Sequence, residues 1–148
     1  KGFSKGIIVA KKQTKGRGRY GNKWIYLKNN LFMSVFFQID SSENIKQLTS
    51  ISCKIVKNSL LKLIKKKIHI KKPNDLYINK KKVSGILQET VFYNNKKFGI
   101  VGIGINVDRS PKINNYPTTY VNLYSKNKLT SFKIYSEIKR NFEKYLNL

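Results

Sequence analysis

Apolar residues in this chain fall into short runs and two periodic stretches, and their alternation sets out most of the elements. Gly6-Ile7-Ile8-Val9-Ala10 is a brief apolar run of the kind that forms a buried strand, and residues 31–39 make a second, rich in aromatics. Between residue 43 and about 65 the apolar positions are Ile45, Leu48, Ile51, Ile55, Leu60 and Leu63, with lysines between them. That spacing predicts an amphipathic helix whose start Ser41 or Ser42 would cap. A strand is expected over 67–71, broken by Pro73-Asn74-Asp75. Residues 76–78 and 83–91 read as a hairpin turning at Asn79-Lys80, with the lysine cluster in the turn. A further strand over 98–107 carries Gly99, Gly102 and Gly104, and residues 111–117 form a loop between prolines. Phe132, Tyr135, Ile138, Phe142, Tyr145 and Leu146 mark a last helix over 130–147, with Thr130 or Ser131 as its cap. Several strands, few helices and hairpin connections predict an α/β (α+β) domain: a mixed, largely antiparallel sheet flanked by helices. No repeat, low-complexity linker or internal boundary divides it.

Composition narrows this without redirecting it. The 148 residues suit one domain, and 40% hydrophobic content makes it globular. The formal net charge of +24 would ordinarily point to nucleic acid. Of the 31 basic residues, however, only Arg17, Arg19, Arg109 and Arg140 are arginine, and the chain is also rich in Asn, Ile and Tyr. The lysine excess therefore reads as AT-rich coding that decorates solvated faces, and no specific nucleic-acid partner is expected. Cys53 is alone, which excludes an intramolecular disulfide framework and a cysteine metal cluster. His69 is the only histidine; it alternates with Ile68 and Ile70 and is expected to be partly exposed and non-catalytic. No ligated metal is expected. No apolar stretch has the length of a membrane span. The chain begins Lys-Gly-Phe and reads as a piece of a longer protein.

Four segments go beyond what a merely structural domain requires. Residues 16–24 read Gly-Arg-Gly-Arg-Tyr-Gly-Asn-Lys-Trp between two strands: glycines allow close backbone approach, Arg17 and Arg19 offer forks for phosphate or carboxylate, and Trp24 offers a flat apolar face. Lys71-Lys72-Pro73-Asn74-Asp75-Leu76 is a turn in which Asn74 and Asp75 could orient a phosphate, a magnesium ion or a nucleophile. Lys82-Val83-Ser84-Gly85-Ile86-Leu87-Gln88-Glu89 places a lysine three residues before a glycine that interrupts an apolar strand, a mark of close ligand approach. Gly102-Ile103-Gly104-Ile105-Asn106 lacks the third glycine and the following helix of a dinucleotide fingerprint. Its alternation instead suggests one strand face stripped bare for a flat ligand, with Asn106 at its edge.

In this order and spacing the four segments resemble the catalytic domain of biotin protein ligases, over residues from about 6 to 108. The resemblance implies a fold like that of class II aminoacyl-tRNA synthetases and biotin ligases over residues 1–148, the domain's N-terminal part, with a Ser/Thr-rich segment, lying outside this sequence. It implies an ATP-dependent enzyme that makes biotinyl-5′-AMP, with Mg²⁺ accompanying ATP, and passes biotin to a lysine of a carboxylase's carrier domain. By similarity, Gln13 would bond biotin's ureido ring. Arg17 and Arg19, with the backbone of Gly16 and Gly18, would cover the carboxylate and phosphates. Trp24 would stack on adenine and Asn106 would read it. Lys82 would contact the biotin carboxylate and the α-phosphate, Asn74 the phosphate region, and Asp75 the incoming amine. Gly85, Ile86 and Leu87 would line the biotin pocket above a floor of Gly102 and Gly104. Lys72 stands where the family usually has Trp. A monomer or homodimer in a cytoplasmic or plastid compartment fits. The alternatives are a lipoate-ligase-like enzyme, which the complete Gly-Arg-Gly-Arg and Lys-x-x-Gly-Ile-Leu elements disfavour, and a basic nucleic-acid-binding domain.

Overall fold

A computed structural model describes residues 3–40 and 45–147 of the chain. The candidate caps Ser41 and Ser42, and the expected helix start at 43 and 44, lie outside the described residues. Six strands form one sheet: β1 (Lys5–Val9), β2 (Leu31–Gln38), β3 (His69–Lys71), β4 (Asp75–Ile78), β5 (Lys81–Tyr93) and β6 (Lys96–Ile105). Their order is β1-β2-β6-β5-β4-β3, and every neighbouring pair is antiparallel, so the expectation of a largely antiparallel sheet holds and its mixed component does not. The hairpin turns explain this economy of connection. Asn79 and Lys80 (φ 48° and 61°) and Asn94 and Asn95 (φ 48° and 58°) all take the left-handed conformation that two-residue hairpin turns need, and Asn reaches it at low cost.

Helices α1 (Ile45–Leu63) and α2 (Ser131–Leu146) pack on each other and on one face of the sheet. Val35, Val101, Ile103, Ile105 and Ile86 meet Val56 and Leu60 of α1 and Ile134, Ile138 and Phe142 of α2 in a single buried core. Thr130, and not Ser131, caps α2: its Oγ1 accepts the Lys133 N–H at 3.2 Å. The buried stripe of α2 also differs from expectation. Ile134, Ile138 and Phe142 recur every fourth residue, while Phe132 lies off that stripe and is 73% exposed, its ring 5.9 Å from that of Tyr135. His69 is exposed on the edge strand β3.

The helix pair is tied across its seam by Asn141 Nδ2, which donates to Ser59 Oγ at 2.7 Å, and by Glu137, whose Oε1 lies 2.9 Å from Lys62 Nζ while Arg140 holds its other oxygen. Hydrogen bonds from Arg140 and Lys62 hold the Glu137 carboxyl down to about 2, from an ordinary 4.5. A carboxylate depressed in the folded state stabilises the fold above its unfolded value and loses that contribution as pH falls toward the folded one. Denaturant unfolding of the unsubstituted chain is therefore expected to weaken more steeply between about pH 5 and pH 2 than that of Glu137→Gln. Parallel curves for the two proteins would show that this pair contributes nothing.

Neither of the two α-helices packs on the other face of the sheet. Gly85 and Leu87 of β5 lie opposite Gly104 and Gly102 of β6, and Ser34 of β2 lies opposite Gly102. Over this face fold residues 10–30, between β1 and β2, and the segment after β6. Buried Asn30 staples them together: its Oδ1 accepts the N–H groups of Val107 (2.8 Å) and Asp108 (3.2 Å), and its Nδ2 donates to the Arg109 carbonyl (2.9 Å).

Candidate functional site

A cavity of about 420 Å³ opens between the glycine-bearing face of the sheet and the 13–24 loop. The loop is a small hairpin of its own. Trp24 N–H donates to the Gly16 carbonyl (3.0 Å), Gly18 N–H to the Asn22 carbonyl (2.7 Å), and the turn is made by Tyr20 (φ 55°) and Gly21 (φ 74°). A Cβ on Gly16 would lie 2.4 Å from the Trp24 carbonyl oxygen, so only glycine fits there. The close approach expected at this position is thus made by the loop's own backbone.

Trp24 fixes the character of the site. A Cβ built on Gly104 would meet its Cε2 at 2.4 Å, and one on Gly85 its Cζ3 at 2.8 Å. The bare strand face read from the sequence is real, and its Gly85–Gly104 half is covered by the indole. Gly102 is different: nothing lies nearer to its would-be Cβ than the Leu87 carbonyl at 3.5 Å, which leaves the Gly102–Leu87 half as the floor of the cavity.

Lys82 crosses the site from β5. Its ammonium lies 2.9 Å from Asp75 Oδ2, 5.5 Å from the centre of the Trp24 ring and 5.0 Å from that of Tyr116, with only 13% of the side chain exposed. Asp75 follows the Pro73-Asn74 turn at the start of β4, so the hairpin β4–β5 brings the two together. Asn74 braces the same corner, donating from Nδ2 to the Ile86 carbonyl (2.9 Å) and accepting the Ile86 N–H at its own carbonyl (2.9 Å). Lys72, two residues before Asn74, is exposed. Three buried polar atoms of cavity-lining residues have no partner among the described residues: Gln13 Oε1, Trp24 Nε1 and Asp75 Oδ1. Buried polar groups are nearly always paired, so this acceptor, donor and acceptor are free to bond water or a ligand.

The arginines bracket the mouth. Arg17 Nη2 lies 3.0 Å from both oxygens of Glu89, and the loop is thereby pinned to β5. Arg19 donates to the Tyr20 hydroxyl (2.8 Å) and lies over its ring. Gln13, Arg17, Gly18, Arg19, Trp24, Asn74, Asp75, Lys82, Gly85, Leu87, Gly102 and Gly104 thus all border one cavity; Gly16 braces the loop behind it. Two expected residues stand apart. Ile86 borders the cavity, but its side chain is buried in the core on the opposite face. Asn106 is 2% exposed and does not line the cavity; its Nδ2 donates to the Thr119 carbonyl (3.0 Å), its Oδ1 accepts from Asn30, and it touches only a small cleft behind Trp24 and Lys82. Asn106 is occupied with holding the chain after β6, because the strand ends there and its free polar groups are satisfied internally. In this ligand-free arrangement it stands at the edge of that cleft, behind the indole.

Sequence reasoning assigned no role to Glu89 or Tyr116. Glu89 shares the cavity face with Gly85 and Leu87 at two-residue spacing, a signal that was available. Tyr116 sits in the 111–117 loop with no periodicity to mark it. Cys53 lies beneath the site, where burial and then the Asp75 charge push its thiol up to about 11, so it stays protonated. The described residues contain no cluster of three or more His, Cys, Asp or Glu able to hold a metal, and no helix long and apolar enough to cross a membrane.

Residues 3–106 match the model of the biotin/lipoate A/B protein ligase family. Over 155 residues the chain is 34% identical to biotin–protein ligase 1, chloroplastic, of Arabidopsis thaliana, an alignment covering 96% of this chain and 41% of that protein. It is 36% identical over 114 residues to the bifunctional ligase/repressor BirA of Bacillus subtilis, covering 75% of this chain and 34% of the relative. Its fold superimposes on a biotin protein ligase from Aquifex aeolicus solved with biotin and ATP, with a TM-score of 0.75 at 32% identity, over 94% of this chain and 61% of that one. The chain therefore spans about two fifths of the length of the first of these curated relatives, and its sheet and two helices have the class II synthetase-like arrangement of the solved neighbour.

Proposed function

The chain belongs to the biotin/lipoate A/B protein ligase family, and we propose that its cavity makes biotinyl-5′-AMP from biotin and ATP and delivers biotin to a lysine of a carrier domain. The single observation that carries this reading is the Lys82 ammonium, held 2.9 Å from Asp75 in the cavity that the open Gly102–Leu87 floor and Arg17 and Arg19 also line. Carboxylate attack on the α-phosphate brings two anions together, so a site for it needs fixed positive charge and alignment more than a base. A biotin carboxylate oxygen bonds to the α-phosphorus as the bond to pyrophosphate breaks, and Lys82, Arg17 and Arg19 balance the charge. The carrier amine then attacks the acyl carbon and AMP leaves; the proton released by the amine passes toward Asp75, whose Oδ1 is unmet. Gln13 Oε1, an acceptor without a partner, suits a ureido N–H.

Trp24 must tilt off Gly85 and Gly104 for a flat base to share that surface, and its unmet Nε1 then meets an acceptor. Mg²⁺ would enter with ATP and supply charge neutralisation at its phosphates. Asn74 and Leu87 keep the floor in shape. A carboxylase carrier domain is the assigned acceptor, and a cytoplasmic or plastid setting the assigned compartment.

Thermal unfolding with biotin plus MgATP, against lipoate plus MgATP, tests the reading. At a ligand concentration a hundredfold above Kd the stabilisation is about 2.7 kcal/mol, which for a domain of this size raises Tm by roughly 5–10 °C. A rise with lipoate and none with biotin would transfer the chain to the other branch of its family.

A further inference from the structure

We propose that Tyr116 is the residue that positions Lys82, its ring forming the lasting aromatic wall of a cage that aims the ammonium at the cavity. A lysine head sits on four rotatable bonds, so a defined position must be imposed from outside. Here the backbone and the head are held by one segment. Lys82 N–H donates to the Pro117 carbonyl (2.9 Å) and the Lys82 carbonyl accepts the Thr119 N–H (2.8 Å), a parallel bridge outside the main sheet. Tyr116, adjacent to Pro117, is thereby carried to 5.0 Å from Lys82 Nζ, the shorter of its two ring contacts. The bridge is itself anchored by Asn106, which bonds the Thr119 carbonyl through Nδ2 and accepts the Val121 N–H at its own carbonyl (2.9 Å).

The two rings are not equivalent. Trp24 occupies the glycine surface and must shift when a flat ligand takes it, whereas Tyr116 lies beside that surface on a loop fixed to Lys82 itself. When Trp24 moves, Asp75 and Tyr116 remain. An aromatic face attracts an ammonium most strongly when water is excluded, and the 13% exposure of Lys82 meets that condition. The catalytic consequence rests on the proposed adenylation; the geometric one does not.

Trace acylation of the folded chain with acetic anhydride, read lysine by lysine by mass spectrometry, reports how well each ammonium is sheltered. Lys82 is expected to react more slowly than exposed Lys80 and Lys81. Tyr116→Leu, which keeps apolar bulk without a π face, should speed Lys82 on the order of threefold to tenfold, and Tyr116→Phe should leave it slow. Continued inertness of buried Cys53 to a thiol reagent certifies the fold, with Tyr116→Met replacing the Leu variant if it fails that check. In adenylate formation Tyr116→Leu should lower kcat several-fold with the KM for biotin little changed, and Tyr116→Phe should restore it. Unaltered Lys82 labelling in Tyr116→Leu, or equal acceleration in Tyr116→Phe, would overturn the assignment. An unsubstituted chain that forms no adenylate would overturn the proposed activity instead, while the labelling still decides the role of Tyr116.

Discussion

Lys82→Met is expected to lower the rate of biotinyl-AMP formation by about 10²–10³ while leaving the fold intact. Methionine matches the apolar stem and removes only the charge. In the ground state that charge is shared between Asp75 and two aromatic faces. In the reaction it would lie between two anions that must meet, so its loss falls on the transition state more than on binding. The effect on stability has a separate origin. Without Lys82, neither Asp75 oxygen has a partner, since Oδ1 already lacks one. Leaving a partly buried carboxylate unpaired costs roughly 1–3 kcal/mol. Adding Asp75→Asn should recover most of that stability in urea unfolding and none of the rate in a pyrophosphate-release assay. A single variant that keeps its rate within tenfold would remove Lys82 from the chemistry.

The extent to which the site could be read from sequence follows the kind of signal each part carries. The strands announced themselves through alternation, and the Asn79-Lys80 turn through its residue types, because both are local. The glycines of 102–104 were legible as a bare face, since a missing side chain is visible in sequence. What covers that face was not: Trp24 arrives from a loop more than 60 positions away, and its descent onto Gly104 is a tertiary event. The packing of Asn106 was hidden for a related reason. A polar residue at a strand end next to a glycine face reads as a ligand contact, and the buried network it closes with Asn30 and Thr119 leaves no mark in sequence. Tyr116 was invisible because its ring reaches Lys82 only through a two-bond bridge that the neighbouring Pro117 and Thr119 of an irregular loop make to the lysine backbone. Local propensity carries strands and turns; the partners of an irregular loop are set by packing alone.

Gly104→Ala and Gly102→Ala should behave differently although the two glycines share one strand and one face. An alanine methyl at 104 would stand 2.4 Å from Trp24 Cε2 and 2.7 Å from its Nε1. β6 is an inner strand held by β2 and β5, so the ring and not the backbone must give way. Trp24 is the only tryptophan in the chain, and its fluorescence reports that displacement without interference. Gly104→Ala is therefore expected to shift Trp24 emission to longer wavelength in the ligand-free protein, and to slow adenylate formation by about 10², the scale on which a misplacement of about 1 Å acts. The methyl at 102 meets only the Leu87 carbonyl, at 3.5 Å. It should leave the emission unchanged and intrude on the cavity floor, where overpacking costs about 1–3 kcal/mol, so that the KM for biotin rises about tenfold with kcat little affected. Emission that shifts in both variants, or in neither, would mean that the indole does not divide this face into a covered half and an open one.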